Sequence, residues 1–405
     1  MKILLFSFLF EPELGGGAAV VVNQLAGALV AHSYDVVVVT TWEGKKIKTE
    51  YLDGIKLIRI PAYNLYWVVE KDQQPTLKKI LWQLFDVWNP LIYRVVRQIL
   101  LDEAPDIVHS HKLRGLSPSI WSAAKAAGVK KIVHTCHDYE LLSPEGLFMG
   151  WAGRLAERQH FLMRPYQILR RYLSGMVDIV TAPSQFLLSY HERMRYFPNA
   201  EKKIIPNSHG FSLAYLVNQV PKKASKQFRL LYLGRLDKAK GVELLCEAFL
   251  RYVDEGGENG LLSIAGWGPL KKSLHEKYAT QEKIHFLGAV SGGQKSALLR
   301  KNNFLVLPSV VKESFGLVLV EAFAHGTPVI ASRIGAFPEV VVESKTGFWA
   351  QAGSIDSLKT AFERVSKLSS AILAEISANT LDEAKLYTIE ENVSAYMALY
   401  EEAEQ

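Results

Sequence analysis

The chain contains little cysteine. Cys136 and Cys246 are the only two among 405 residues, and they lie far apart in apolar stretches. Disulfide-stapled domains and zinc clusters need several cysteines at defined spacings, so the sequence argues against both. We expect a protein of a reducing compartment.

Long hydrophobic runs are also absent. No apolar segment reaches the roughly 18 residues that a membrane-spanning helix requires. The run Met1–Phe10 mimics a signal peptide, but it ends at Glu11-Pro12-Glu13 without a small-residue cleavage site. We therefore expect a buried first strand and a cytoplasmic protein, with peripheral contact at the inner face of the membrane as an open alternative.

The surplus of positive charge is small. The chain has 47 Lys and Arg against 41 Asp and Glu, a net charge of +6. This surplus would suit nucleic acid, an anionic membrane surface or phosphorylated ligands, and it does not distinguish them.

Short apolar strands alternate with helical segments along the chain. This pattern is typical of parallel sheets built from β-α-β units, and the length suits two domains. The predicted strands are Ile3–Phe8, Val36–Thr40, Ile55–Ile60, Ile107–His109, Ile132–His134, Ile179–Thr181, Lys203–Ile205, Arg229–Leu233, Leu261–Ala265, Ile284–Phe286, Phe304–Leu307 and Pro328–Ala331. The predicted fold class is α/β, with two doubly wound Rossmann-like domains facing across a cleft.

A weakly periodic stretch, Asn207–Gln227, separates the two halves. Its run Pro221–Lys226 is typical of a solvated linker. We place the domains at 1–207 and 208–382. The final segment, Glu383–Gln405, carries a helical apolar stripe that could pack on either domain.

The segment Pro308–Pro328, PSVVKESFGLVLVEAFAHGTP, follows the apolar strand Phe304–Leu307 and carries the most chemical information. It places Glu313 and Glu321 eight positions apart, before and after a strand-to-helix turn. A carboxylate there can accept sugar hydroxyls, and the free N–H groups that open a helix can hold a phosphate. The second carboxylate, about 12 Å along the helix, would reach a ribose. An ordinary amphipathic helix with two solvated glutamates is the alternative.

Two further strand-to-helix turns are rich in glycine. Gly234–Gly241, GRLDKAKG, carries Arg235 and Lys240, which suit a phosphate because Arg binds it bidentately and Lys adds a compact charge. Ala265–Leu270, AGWGPL, would let the backbone approach a ligand closely. The alternatives are solvated surface for the first turn and a plain tight turn for the second.

A third glycine turn, Gly15–Gly17, follows the first strand. It is not a dinucleotide fingerprint, because Val20 stands where the third glycine belongs and no acidic residue closes the second strand. A turn that touches a phosphate or an incoming sugar fits better.

Three histidines follow neighbouring strands of the first half, namely His109, His111 and His137. Histidine can donate, accept or carry charge near neutral pH. No clear carboxylate set accompanies the three residues, so a metal site is disfavoured. We expect a structural role for His109.

Taken together and in this order, these residues resemble the retaining glycosyltransferases of family four, which have the two-domain GT-B fold. The resemblance covers most of the chain, and each motif is weak alone whereas the ordered set is specific. Its motifs are Gly15–Gly17, Thr135–Asp138, Ile205–Asn207, Gly234–Gly241, Ala265–Gly268, Phe286–Gly288, Glu313–Glu321, Gly326–Ile330 and Pro338-Glu339.

The resemblance implies three catalytic candidates and a donor site. Arg235 and Lys240 would contact the donor diphosphate, and His137 would lie against the transferred sugar. Glu313 would bind sugar hydroxyls, and Glu321 the nucleotide ribose. The other implied donor-binding residues are Gly16, Gly17, Gly234, Gly266, Ser314, Phe315, Gly316 and Leu317. The first domain would bind the acceptor and the second the donor, with the last helix crossing back onto the first.

The implied reaction moves a hexose from a nucleoside diphosphate sugar to a hydroxyl acceptor, with retention and without a metal or other cofactor. The product would be a glycolipid, a polysaccharide or another glycoconjugate, and no nucleic-acid partner is expected. A nucleotide-sugar epimerase and a non-catalytic sugar-binding protein of the same architecture are alternatives. Arg235 and Lys240 together with Glu313 and Glu321 argue against both.

Three positions depart from the family pattern. Ser314 stands where many members have glycine, and Asn207–Gly210 replaces the more common Asn-Gly-Val-Asp. Gly335-Ala336 replaces a glycine pair. We expect the first and third changes to affect only local turn freedom, while the second leaves the hinge geometry open.

Two segments of the first half could contact a membrane. Leu77–Leu100 carries an apolar stripe, and Trp151–Tyr172 mixes arginines with aromatic residues. A basic helix with aromatic residues can lie in a bilayer interface. The alternative is a helix packed on its own sheet, which the pattern favours for Leu77–Leu100.

Overall fold

The chain divides into two compact units. The computed structural model describes residues 1–12, 16–222, 227–257 and 259–404. Unit 1 consists of Met1–Asn207 and Glu391–Gln405, and unit 2 consists of Ser208–Glu390.

Unit 1 is built on an eight-stranded sheet. Its strands are β1 (Lys2–Phe6), β2 (Asp35–Trp42), β3 (Lys48–Leu52), β4 (Ile55–Pro61), β5 (Ile107–Ser110), β6 (Lys131–Thr135), β7 (Ile179–Ala182) and β8 (Glu201–Ile204). They lie in the order β3-β4-β2-β1-β5-β6-β7-β8, and the neighbouring pairs are parallel except for β3 with β4.

Helices cover both faces of this sheet. They are α1 (Gly17–Ala31), α2 (Thr76–Val87), α3 (Pro90–Glu103), α4 (Ser119–Ala126), α5 (Gly150–Glu157), α6 (Arg164–Ser174) and α7 (Gln185–Arg193). Successive strand residues point to opposite faces, so Leu4 and Phe6 join one core with α3 and α4 while Ile3 and Leu5 join another with α1. Burial on both faces explains why β1 is a continuous apolar run.

Unit 2 contains a six-stranded, fully parallel sheet in the order β11-β10-β9-β12-β13-β14. Its strands are β9 (Phe228–Leu233), β10 (Gly260–Ala265), β11 (Ile284–Gly288), β12 (Phe304–Leu307), β13 (Val329–Ser332) and β14 (Gly347–Ala350). Its helices are α8 (Leu213–Val217), α9 (Val242–Asp254), α10 (Lys271–Tyr278), α11 (Gly292–Lys301), α12 (Leu317–Phe323), α13 (Phe337–Val340), α14 (Ile355–Ser366) and α15 (Ser370–Ala384).

The last helix, α16 (Ile389–Glu404), packs into the core of unit 1. Tyr400 donates or accepts one hydrogen bond with Nδ1 of His109 at 2.6 Å, and Nε2 of the same ring is bonded to Oγ1 of Thr135 at 2.7 Å. Both ring nitrogens of His109 are therefore used inside the fold, as the expected structural role requires. The predicted helix Glu383–Gln405 is interrupted, because α15 ends at Ala384 and a 3₁₀ turn follows.

The predicted linker Asn207–Gln227 is wrong over its described part. Helix α8 lies within it, and Lys222 is buried at 9% exposure. The Lys222 ammonium donates to the carbonyls of Leu299 and Arg300 at 2.8 and 2.7 Å, at the end of α11. A cation satisfies the unpaired carbonyls of a helix C-terminus, so this lysine anchors the segment instead of solvating it. Residues 223–226 lie outside the described residues.

The predicted stripe Leu77–Leu100 spans two helices. The first helix ends at Val87, and Asn89 caps α3 by accepting from the N–H groups of Leu91 and Ile92, with Pro90 at the first helical position. The α3 half packs on the sheet as expected, whereas most of the α2 half is exposed.

Each predicted strand is present, and β3 and β14 are additional. Among the described residues, no helix combines the length and the apolar character needed to cross a bilayer.

We predict that Tyr400→Phe destabilises unit 1, because it leaves the buried Nδ1 of His109 without its partner. The free energy of unfolding should fall by about 1–3 kcal/mol. Chemical denaturation followed by circular dichroism measures the change. Tyr51→Phe, at a side chain that is 75% exposed, is the control and should leave the curve unchanged. Equal curves for both variants would contradict the assigned role.

Candidate active site

The sheet of unit 2 reverses its strand order between β9 and β12. From β9 the chain builds β10 and β11 on one side, and it then returns to place β12 on the other. Ligands of doubly wound sheets bind outside the carboxyl ends of the strands at such a switch point. The loop with Arg235 and Lys240 follows β9, and Glu313 follows β12, so both candidate groups start at this point.

Asp237 organises the loop after β9. One of its carboxylate oxygens accepts from the backbone N–H of Lys240 at 3.0 Å, which caps the 3₁₀ turn Lys238–Lys240. The other lies 3.3 Å from Nε of Arg235. The Arg235 guanidinium also stands over the ring of Trp267, 5.2 Å from its centroid. The sequence motif contained Asp237, but its capping role was not predicted.

Lys240 and Glu313 form an ion pair. Nζ of Lys240 donates to Oε1 of Glu313 at 2.7 Å, and Oγ of Ser309 donates to the same oxygen at 2.6 Å. The Glu313 side chain is 13% exposed. Neither residue is thus an isolated solvated charge. Ser309 was missed because nothing in its local sequence marks it.

Two glycines are required by close backbone approaches. Gly266 has φ 152°, and a Cβ there would lie 1.8 Å from the carbonyl oxygen of Gly234. Gly335 has φ 62°, and a Cβ there would lie 2.4 Å from both N and O of Glu313. The next residue, Ala336, donates its N–H to the Glu313 carbonyl at 2.9 Å. The turn Gly335-Ala336 therefore holds the Glu313 backbone, a larger role than the predicted change in turn freedom.

The residues after Glu313 divide between core and surface. Phe315 is buried and contacts the Tyr387 ring with centroids 5.9 Å apart, so its side chain belongs to the core. Ser314, Gly316 and Leu317 are half-buried, and Gly316 directly precedes α12. Because the Phe315 side chain is buried, only the backbone of this residue can face a ligand.

Glu321 is buried in α12 and is not the solvated glutamate of the alternative interpretation. Lys295 of α11 donates to its Oε1 at 2.6 Å. Burial raises the pKa of Glu321 above its ordinary value, and the Lys295 ammonium acts in the opposite direction. Lys295 was not predicted, since it lies 26 positions away in a helix without a motif.

In unit 1 the sheet reverses its order between β1 and β5, and His111 and His137 follow β5 and β6. Nδ1 of His111 and Nε2 of His137 are hydrogen-bonded at 3.0 Å. Burial lowers the pKa of His137 to about 4 and that of His111 well below its ordinary value. Both rings are therefore neutral near pH 7. Nε2 of His111 is buried and has no hydrogen-bond partner among the residues that the structure describes.

Two carboxylates accompany His137 in the loop after β6. Asp138 pairs with Lys112 at 2.5 Å, and Glu140 accepts from the N–H of Leu113 at 2.6 Å. Burial, followed by the neighbouring Asp138, raises the pKa of Glu140 to about 7. These contacts tie the loop after β6 to the loop after β5.

The glycine turn after β1 is only partly described. Gly16 and Gly17 are exposed at the start of α1, and Gly15 lies outside the described residues. Within the described ranges, no three His, Cys, Asp or Glu side chains are grouped so that they could hold a metal ion.

Comparison with known proteins identifies families over both units. The family described as Glycosyltransferase Family 4 matches residues 15–208, and Glycosyl transferases group 1 matches residues 217–381. Phosphatidyl-myo-inositol mannosyltransferase of Mycobacterium leprae is 30% identical over 298 residues, which are 71% of each chain.

Solved structures agree with the fold. Sucrose-phosphate synthase from Thermosynechococcus elongatus has a TM-score of 0.74 at 20% identity, over 99% of this chain and 98% of that one. Anabaena HepE in complex with UDP-glucose has a TM-score of 0.70 at 19% identity, over 99% of this chain and 100% of that one. The predicted class, two Rossmann-like α/β domains of the GT-B type, is confirmed. The chain is a member of the group 1, family 4 glycosyltransferases.

Proposed function

We propose that this glycosyltransferase moves a hexose from a nucleoside diphosphate sugar to a hydroxyl acceptor, with the anomeric configuration retained. The observation that carries the proposal is the joint position of Arg235, Lys240 and Glu313 at the switch point of the unit 2 sheet. HepE, which shares the fold, was solved with UDP-glucose, and the mycobacterial relative is a mannosyltransferase. The first supports a nucleotide-sugar donor, and the second supports transfer of a hexose.

Arg235 and Lys240 bind the donor diphosphate. The ammonium of Lys240 has three N–H donors, and its bond to Glu313 uses one of them. The guanidinium of Arg235 has five donors in a planar fork, and its flat face rests against Trp267. Lys240 therefore keeps N–H groups for phosphate oxygens while it remains anchored, and Trp267 and Asp237 hold Arg235 beside it.

Glu313 and Glu321 recognise the uncharged parts of the donor. The Glu313 carboxylate accepts two hydrogen bonds from the described residues, both at Oε1, which leaves Oε2 for a sugar hydroxyl. Glu321, held by Lys295, accepts from the ribose. Because Glu313 is neutralised by Lys240, it selects hydroxyl geometry without repelling the diphosphate.

The reaction exchanges one bond at the anomeric carbon. Its bond to the donor phosphate oxygen breaks, and a bond to the acceptor oxygen forms on the same face. The acceptor proton passes to the leaving phosphate, and a nucleoside diphosphate departs. Cations aimed at the charge that grows on this phosphate stabilise the transition state. Arg235 and Lys240 supply the positive charge for this, without a metal ion.

His137 contributes hydrogen bonding instead of charge. Its lowered pKa keeps the imidazole neutral, and a hydrogen bond between Nδ1 of His111 and Nε2 of His137 fixes the ring. The nearest carboxylates, Asp138 and Glu140, are bound to Lys112 and to the Leu113 N–H. Retaining glycosidases attack through a carboxylate nucleophile about 5 Å from the acid. Asp138 is paired with Lys112, and burial raises the pKa of Glu140 to about 7, so neither is a ready ionised nucleophile, which favours direct same-face transfer.

A donor screen tests the proposed function. One class among UDP-, GDP- and ADP-sugars should raise the melting temperature, since ligand at a hundred times its Kd adds about 2.7 kcal/mol of stability. That donor should release nucleoside diphosphate at the same rate with and without chelator. An epimerase would instead isomerise the sugar without acceptor, and a binding protein would release nothing. Strict loss of activity in chelator would overturn the metal-free mechanism.

We predict that Arg235→Ala lowers turnover about a hundredfold or more, because a preorganised cation at the leaving phosphate is lost. Coupled release of nucleoside diphosphate measures the effect. Arg251→Ala is the matched control, since the two arginine side chains are 44% and 45% exposed. Near-normal turnover of a folded Arg235→Ala protein would remove this residue from the mechanism.

We predict that Glu321→Ala weakens nucleotide binding about tenfold to a hundredfold, the usual effect of losing a hydrogen bond to a charged group. Isothermal titration calorimetry with the nucleoside diphosphate measures the affinity. Glu276→Ala, at a side chain that is 66% exposed in α10, should bind normally. Unchanged affinity of Glu321→Ala would exclude contact with the ribose.

A further inference from the structure

Helix α2 turns its apolar side toward solvent. Leu77, Leu84 and Phe85 are 70%, 61% and 51% exposed, and Ile80 and Leu81 lie on the same side. The opposite side of the helix buries Trp82 and Asp86. A surface helix normally places its apolar stripe against the core. Here the stripe is left without a covering element among the described residues.

A second apolar surface lies on the 3₁₀ turn Phe161–Met163 and on α6. Phe161, Ile168 and Tyr172 are 64%, 58% and 70% exposed. The inward side of α6 buries the polar Gln167 and Arg170 together with Leu173. Two adjacent helices therefore expose apolar side chains to solvent while they bury charged or amide side chains.

The two surfaces belong to one part of unit 1. Nη2 of Arg170 on α6 donates to Oδ2 of Asp86 on α2 at 3.1 Å, and both side chains are 3% exposed. This ion pair joins the helices on their inner sides. We define the docking face as the outward side of α2, of residues 161–163 and of α6.

Positive charges outnumber negative ones on the docking face. Helix α2, residues 161–163 and α6 contain five basic residues, namely Lys78, Lys79, Arg164, Arg170 and Arg171, and one acidic residue, Asp86. Arg170 and Asp86 are buried against each other, so the other four residues carry the charge of the face. Glu145, which pairs with Lys71, is the acidic residue that acts on Lys79. The face is therefore cationic as well as apolar.

We infer that the docking face binds the surface of an anionic lipid bilayer. A bilayer offers negative head groups above an apolar layer, which matches arginines and lysines beside exposed Leu, Ile, Phe and Tyr. A second copy of this chain would bring a face of the same charge and would be repelled. An acidic polymer would pair with the cations but would leave the apolar side chains in water.

The inner sides of the same helices hold the loop that carries His137. Tyr166 donates through its hydroxyl to the carbonyl of Glu140 at 2.6 Å, and Arg170 donates to the same carbonyl at 2.9 Å. Gln167 donates to the carbonyl of Leu142 at 2.9 Å. A bilayer on the docking face would thus contact α6, the helix whose inner side holds this loop. If the proposed transferase function holds, this position suits an acceptor anchored in the same membrane.

Vesicle flotation tests the inference with the full chain and without donor or acceptor, so its failure leaves the proposed transfer reaction untouched. We expect binding to vesicles of phosphatidylcholine with phosphatidylglycerol, and little binding to phosphatidylcholine alone. Leu84→Glu and Tyr172→Glu should each weaken binding about tenfold or more, because a buried apolar contact is lost. Arg164→Ser should weaken it about fivefold, the usual effect of one surface charge.

Matched controls carry the same substitutions elsewhere. Tyr51→Glu in β3 and Leu386→Glu in unit 2 alter side chains that are 75% and 62% exposed and are not part of the docking face, and both should bind vesicles like the unaltered protein. Absence of binding to anionic vesicles would overturn the inference. Equal loss in controls and docking-face variants would also overturn it, as would self-association of the unaltered protein that Leu84→Glu abolishes.

Discussion

A parallel sheet covered by helices on both faces leaves only its strand ends accessible to polar ligands. In unit 1 the strand residues Ile3–Phe6 are completely buried, and in unit 2 Phe304–Leu307 are buried as well. Polar groups therefore collect where strands end. His111 follows β5 in one unit, and Lys240 follows β9 in the other, each beside the point where strand order reverses. The order of the strands therefore determines where each candidate group lies.

The charged groups of the candidate sites are held in ion pairs. Lys240 with Glu313, Lys295 with Glu321 and Lys112 with Asp138 each lie within hydrogen-bond distance. An unpaired charge in a partly buried site would cost much more than a paired one. The pairs keep the loops ordered without a ligand, and their unused donors and acceptors remain available. Preorganisation of this kind is what electrostatic catalysis depends on.

Sequence patterns predicted the buried parts of the fold best. Apolar runs marked the strands that are covered on both sides. Strand β3 was missed because its polar residues form an exposed edge, and β14 because glycine and alanine flank its only two large apolar residues. Glycine motifs located the site loops, but partners such as Lys295 and Ser309 are brought in by tertiary structure and carry no local signal. For α2 the periodicity revealed a stripe without its direction, since an exposed stripe and a buried one share the same spacing.

Helix α16 belongs to unit 1 although it follows the whole of unit 2 in the chain. During synthesis the ribosome completes Ser208–Glu390 before it reaches Tyr396 and Tyr400, whose side chains fill the core beneath β1. Domains generally fold in order of emergence. Here all residues of unit 2 are synthesised before unit 1 receives its final helix. Tyr400 therefore joins the core of unit 1 only after unit 2 has been made, so unit 1 is the second of the two to be completed.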